Sequence, residues 1–384
     1  MLLAILTTLL LRTGVAEASS SQGCGSWNVV SSPNPGSVGW DILYGVTAIS
    51  ANNSWSVGFY RDGNNIDQTL TEYWDGTSWS VIPSPNNGTS GNELFGVAHV
   101  PKSSSLWAVG YYVSSTGYDE TLAEHWNGTS WSIVSSPNPA TGNNVLNKVV
   151  ALSKNNVWAV GYETDIHGVY QTLIEHWNGS RWSVVPSPNP GSGYNILNGI
   201  ARVPGTKQLW AVGSADNGSG LYQTLIEYWD GTSWRVVPSP NPGTSFNLLY
   251  GVTAISANNV WAGGYTYDNS NGFSQTLIEH WNGTSWSVVP SPNPGVSTNR
   301  VYGITAISAN NVWAVGFKAD TSGSQTLTEQ WNGTSWSVVP SPNPGLNTNF
   351  LYEVMRVPGT KHLWTVGSYQ NAGNDNQTLT EFHC

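Results

Sequence analysis

The motif Trp-x-x-Gly recurs at Trp55, Trp107, Trp158, Trp210, Trp261, Trp313 and Trp364, at spacings that alternate between 52 and 51 residues. A period so regular, running through most of a 384-residue chain, constrains the fold more than any other feature. A unit of this size cannot bury its faces alone, so neighbouring copies must stack on one another. In the order of the chain each copy reads "LYGVTAIS", "NNVWAVGY", a variable stretch, "TLIEHW", "NGTS", "WSVVP" and "SPNPG". These are short segments rich in Val, Ile, Thr, Tyr and Trp, separated by turn residues, which reads as four strands per copy. Asn-Gly or Asp-Gly between two aromatic runs signals a tight hairpin, because both residues tolerate positive φ. The prolines of "SPNPG" cannot continue a ladder and end the fourth strand.

Seven four-stranded copies without helical periodicity predict an all-β chain, a seven-bladed β-propeller of antiparallel blades. The ends support closure of the ring. The chain finishes on "QTLTEFHC", a third strand that stops where the hairpin should begin, and the sequence from Cys24, "CGSWNVVSSPNPG", supplies a fourth strand lacking its first three. Pairing of these N- and C-terminal strands completes one blade. Aligned on the hairpin, Cys384 falls at the Asn of "WNGTSW" and Cys24 at the Gly, so the two cysteines meet where other blades have continuous chain. A Cys24–Cys384 disulfide is expected, in keeping with an oxidising, exported location; two free thiols are the alternative.

Residues 1–18 carry an apolar run followed by Ala16-Glu17-Ala18, a small-x-small cleavage pattern, and are read as a signal peptide. The run is too short to span a bilayer, and a membrane tether is the rival reading. Residues 19–384 then form a single propeller domain, secreted or at the cell surface, monomeric, and without a later membrane span. A net charge of -10 with only 9% charged residues, and no Lys/Arg run, argues against nucleic acid as a partner.

The succession "VWAVGY", loop, "TLIEHWNGTSW", "SVVPSPNPG" resembles the kelch repeat of bacterial-type secreted repeat proteins over essentially the whole mature chain. The paired glycine of kelch is mostly Val-Gly here (Val160-Gly161, Val315-Gly316) and is matched outright only by Gly263-Gly264. The "NGTSW" turns faintly resemble the Asp-box hairpins of sialidase-like propellers, although most lack the aspartate. The kelch resemblance implies a propeller used for binding, or occasionally as an enzyme scaffold, and names no ligand.

Most residues that look chemical belong to the repeat. Glu72, Glu124, Glu175, Glu227, Glu279, Glu329 and Glu381 share one position. General acid and base work needs carboxyls in different environments, so this set reads as structural, accepting hydrogen bonds within or between blades. His125, His176 and His280 share their slot with Tyr73, Tyr228, Gln330 and Phe382, which does not suit a metal ligand. No catalytic residues, metal site or cofactor is assigned. Every tryptophan but one belongs to the repeat or its split copy; Trp40 is left over.

With strands alternating up and down, the first-to-second and third-to-fourth turns share one face and are monotonous. The second-to-third and fourth-to-first connections share the other, and there the copies diverge, as in "YRDGNNIDQ" and "YETDIHGVYQ". Loops on a rigid scaffold are where binding usually resides. This face carries the candidate ligand residues Trp40, Asp41, Arg61, Glu93, Tyr118, His167, Tyr194, Tyr222, Phe246, Tyr267, Arg300 and Phe350. Aromatic faces beside polar groups suit sugars, so a glycan is the expected partner and a protein the next. Asp41, Asn92, Asn144, Asn195, Asn247, Asn299 and Asn349 enter the first strands and either ring the channel mouth or cap a turn; if the residues that follow them point into the channel, Glu93 and Arg300 are its only charges. Two further readings stay open: a propeller glycosidase or lyase with Asp41 and Glu93 as its nearest acids, and a purely structural surface or matrix component.

Overall fold

The structure, a computed structural model, describes residues 25–88, 90–321 and 323–384. The expected signal peptide and Cys24 lie outside the described residues. Twenty-eight strands and no helix occur among the described residues, and none of its elements is a helix long and apolar enough to cross a membrane.

The strands form repeated four-stranded antiparallel units. The first runs Asp41–Ser50, Asn53–Arg61, Asp67–Trp74 and Trp79–Val81. Their first strands are Asp41–Ser50, Asn92–His99, Asn144–Ser153, Asn195–Arg202, Phe246–Ser256, Thr298–Ser308 and Asn349–Arg356. Three units merge into one twelve-stranded sheet through the single parallel pairs Tyr222–Phe246 and Ser274–Thr298. The unit at the chain's end takes its fourth strand from the beginning: Trp27, Asn28 and Val29 pair with His383, Phe382 and Glu381.

Each Trp-x-x-Gly motif serves two contacts. Its tryptophan lies in the second strand and packs against the hairpin rings of the following unit: Trp55 against Trp126 and Trp131 at 4.7 and 5.7 Å, and Trp364 against Trp74 and Trp79, both at 5.0 Å. In the split unit His383 stands where other units have tryptophan, 4.7 Å from Trp313. Its glycine lies beneath a β-bulge in the first strand, where the register slips between Leu43 and Gly45 and at the equivalent points of every unit. A Cβ on Gly58 would collide with the carbonyl of Ile42, and one on Gly213 with that of Ile196. A bulge leaves its extra residue unpaired and re-aims it.

The hairpin turns differ from expectation in one respect. Gly76 and its counterparts have positive φ but the preceding Asp or Asn does not. Instead Asp75 Oδ1 accepts hydrogen bonds from the Thr77 amide, the Thr77 hydroxyl and the Ser78 amide at 2.7, 2.6 and 2.9 Å, an Asx turn in which the side chain supplies the missing backbone acceptor. The linker after the three-residue fourth strand stays attached to its own unit: Asn189 Oδ1 accepts from the Thr172 amide at 2.7 Å and Ser187 bonds the Thr172 hydroxyl.

The repeated glutamates are fully buried. Burial raises their carboxyls, to about 8 at Glu227, and the Ser136 hydroxyl from the preceding unit's linker donates to Glu175. A buried ionised carboxylate without a partner is costly, so these groups hold their protons instead.

Candidate functional site

The asparagine ring at the entry to the first strands is a set of caps. Asn195 Oδ1 accepts from the Gly191 amide at 2.7 Å while its Nδ2 donates to the Gly191 carbonyl at 3.0 Å; Asn247, Asn299 and Asn349 repeat the pattern. Asp41 takes the same place, fully buried, accepting from the Gly36 amide at 2.7 Å. Burial pushes it up to about 6 against that amide. Asp41 is thus committed to its own linker and does not present a carboxylate to a ligand.

The other sequence candidates divide into three groups and two outliers. On the first two units Trp40 is 43% exposed, with the Arg61 guanidinium over its ring at 4.9 Å. Arg61 makes a bidentate pair with Asp67, at 2.7 and 3.0 Å. Nearby, the Tyr111 hydroxyl donates to Glu93 Oε1 at 2.7 Å. Burial brings Glu93 up to about 7; the Tyr111 bond and Arg61 oppose that shift, while Asp67 and Asp119 add to it. Glu93 therefore changes charge near neutrality.

The second group is a continuous row of rings across three units. Tyr162, Tyr170 and Tyr194 follow at 5.3 Å steps, Tyr194 stacks on Tyr222 at 4.3 Å, Tyr222 on Phe246 at 4.7 Å, and Phe246 on Tyr267 at 5.7 Å. Offset and tilted stacks of this kind contribute about 0.5–1.5 kcal/mol per pair beyond area burial. All six are half-buried, so the ring faces support one another and the edges meet solvent. Phe273, on the neighbouring loop, is 45% exposed.

The third group gathers around Arg300. Arg300 lies over Tyr265 at 4.3 Å and Phe317 at 5.7 Å, and Phe350 meets Phe317 at 4.6 Å. Below them the bulge residues Tyr44, Phe95, Tyr250, Tyr302 and Tyr352 form a belt, with Tyr44 5.2 Å from Phe95 and 5.0 Å from Tyr352. Sequence reading missed this belt: the aromatic before glycine in "LYG" looks like ordinary strand alternation, and only the bulge turns it. Tyr118 and His167 are the outliers, exposed on loop tips and in none of the three groups.

Deeper in the channel, Lys148 and Glu353 occupy the position that is glycine in the other five units (Gly45, Gly96, Gly199, Gly251, Gly303) and form an ion pair. Glu93 and Arg300 are thus not its only charges. Beyond that collar a cavity of about 570 Å³ opens toward the face of the monotonous turns, lined by all seven first strands.

No protein-family model matches the sequence, and no curated protein sequence matches it. Solved structures do. The chain superposes on "YCF48 bound to D1 peptide" with a TM-score of 0.55 at 14% identity, covering 93% of this chain and 95% of that one. It superposes on Chaetomium thermophilum Sqt1, bound to the N-terminus of the ribosomal protein L10, with a TM-score of 0.50 at 12% identity, covering 88% and 84%. Both are WD40-like β-propellers, and the chain shares that repeat β-propeller fold.

Proposed function

We propose that the protein is an interaction module that binds an extended segment of a protein partner on the face of divergent loops. The observation that carries this reading is the row from Tyr162 to Tyr267, a rigid half-buried ridge crossing three units. Aromatic anchors with little rotamer freedom are what interface hot spots use. The two solved propellers are complexes with a peptide and with a protein N-terminus, which supports the same use here. Selection from a random peptide library, beside a Tyr222→Ala/Phe246→Ala variant, tests it: enriched peptides should bind at least tenfold more weakly to the variant. A glycan is the second reading, favoured by the exposed Trp40 ring. If no peptide is enriched and an immobilised glycan is retained by the wild type but not by Trp40→Ala, the glycan reading replaces the first.

The finer architecture is part of the same proposal. Seven blades close a ring, kelch-like in arrangement, and the contacts of Trp364 with Trp74 and Trp79 support closure between last and first units. The Gly25 amide donates to the Cys384 carbonyl at 3.1 Å, which supports a disulfide between Cys384 and Cys24; export and a monomeric state belong to the same proposal. Thiol titration of the denatured, non-reduced protein should find no free thiol; two would remove the disulfide.

A further inference from the structure

We infer that the row of rings has a chemical polarity: the extended segment it binds carries a basic side chain at the Tyr162 end and an acidic side chain at the Tyr267 end. This rests on the peptide reading above and adds the class of segment and the way it lies. One position of the repeat marks both ends. In the second to fifth units the residue two places before the Thr-Leu of the third strand is Asp119, Tyr170, Tyr222 and Ser274. Tyr170 and Tyr222 are rings of the row. The units on either side put a carboxylate and a hydroxyl in the same place.

Asp119 is half-buried, and burial raises its carboxyl, the response of a charge that gains no counterion. Among the described residues no cation stands within ion-pairing distance of it. Its counterpart in the first unit, Asp67, is neutralised by Arg61. Burial and then the charge of Asp119 push the Tyr162 hydroxyl above its ordinary range, so Asp119 lies near the first ring of the row. Acids on the loops along the row are committed to backbone amides. Asp165 accepts from His167 and Val169, Asp216 from Gly193 and Tyr194, and Asp268 from Ser270. The Asp119 amide donates to Asn143 Oδ1 at 3.0 Å, while its carboxylate accepts no such bond among the described residues.

At the other end Arg300 is half-buried. It lies over the Tyr265 ring at 4.3 Å, and its Nε donates to the Ser274 hydroxyl at 3.3 Å. Ser274 pairs directly with Tyr267 across the two strands, and Tyr265 stands two residues before Tyr267 on the same face, about 7 Å along the strand. The guanidinium therefore follows the last ring of the row. Ring faces and a hydroxyl orient it without neutralising it, and among the described residues no carboxylate stands within ion-pairing distance. A charge taken half out of water without a counterion is costly. An opposite charge brought by a partner relieves that cost and fixes the register and direction of binding. Five steps of 4.3–5.7 Å lead from Tyr162 to Tyr267, which an extended chain covers in about seven or eight residues.

Arrays of capped peptides in which a Lys and an Asp flank about 6 to 10 random residues, in either order, test this beside arrays with Lys at both ends or Asp at both ends. The mixed-charge arrays should give binders at least tenfold tighter than the same-charge arrays, and added salt should shrink that advantage. In the strongest binder, Asp changed to Asn should weaken binding to the wild type at least fivefold and leave binding to Arg300→Gln unchanged. Lys changed to Gln should do the same with Asp119→Asn. Each variant should bind the correspondingly neutralised peptide as well as the wild type does, which shows that it is folded. The inference is overturned if same-charge peptides bind as well as mixed-charge ones, or if Arg300→Gln still distinguishes Asp from Asn. If no array yields a binder that Tyr222→Ala/Phe246→Ala weakens, the peptide reading fails and this inference with it.

Discussion

The buried glutamates of the repeat should make this protein most stable at acid pH, and Glu227→Gln isolates one member's share. Glu227 is fully buried, neither of its carboxyl oxygens has a hydrogen-bond partner among the described residues, and burial raises it from 4.5 to about 8. Between those values the folded state keeps a proton that the unfolded chain has released. Stability is therefore complete below about pH 4.5 and falls as pH rises toward 8. From pH 4 to pH 7 the window spans about 2.5 pKa units, which at about 1.4 kcal/mol per unit is about 3 kcal/mol if the site stays dry. Glutamine has the same shape and does not titrate. Its extra N–H donor costs about 1–3 kcal/mol where no acceptor meets it, but equally at both pH values, so it cancels from the comparison. Urea unfolding at pH 4 and pH 7 should show the wild type losing about 3 kcal/mol more than the variant over that interval. Parallel losses would refute the reasoning, since Glu227 would then release its proton equally in both states.

Gly213→Ala should cost about 3 kcal/mol or more in urea unfolding, because the new Cβ meets the Ile196 carbonyl beneath the bulge; Gly193→Ala, with nothing within 4 Å, should stay within about 0.5 kcal/mol. Arg61→Gln should move Glu93 above its value of about 7, since Arg61 is one of the groups that hold it down; an unchanged or lower value in an NMR titration would show that Arg61 does not act on it. Asn332→Ala should cost about 1–2 kcal/mol by removing an acceptor of three hydrogen bonds. Asn332→Asp should be close to neutral at pH 7 in the same unfolding assay, because Asp75 and Asp230 already make that turn.

What sequence could disclose here depended on whether a residue's role repeats. The tryptophans of Trp-x-x-Gly and the buried glutamates recur in every unit, and the Asx turns in every unit but the split one, so their period exposed them as architecture, and the strands fell where the alternation put them. A bulge leaves no such trace. Leu-Tyr-Gly reads as plain alternation, yet slipping the register at Leu43 sends Tyr44 to the axis while Leu43 stays in the core. That one-residue displacement, repeated with Phe95, Tyr250, Tyr302 and Tyr352, narrows the channel at the face of variable loops and leaves the cavity at the other. The sequence therefore pointed to the correct loops for Tyr194, Tyr222, Phe246 and Tyr267, whose stacking across units follows from ring spacing once the blades are set. It grouped Asp41 with them as a residue at the entry to a first strand, with capping of a turn as the other reading. In the fold the carboxylate does what the asparagines do, capping a backbone amide from inside. The informative exceptions were Lys148 and Glu353, two oppositely charged departures from one glycine position. A pair of substitutions in units far apart in sequence is legible as a contact only once the fold that brings Lys148 to Glu353 is in view.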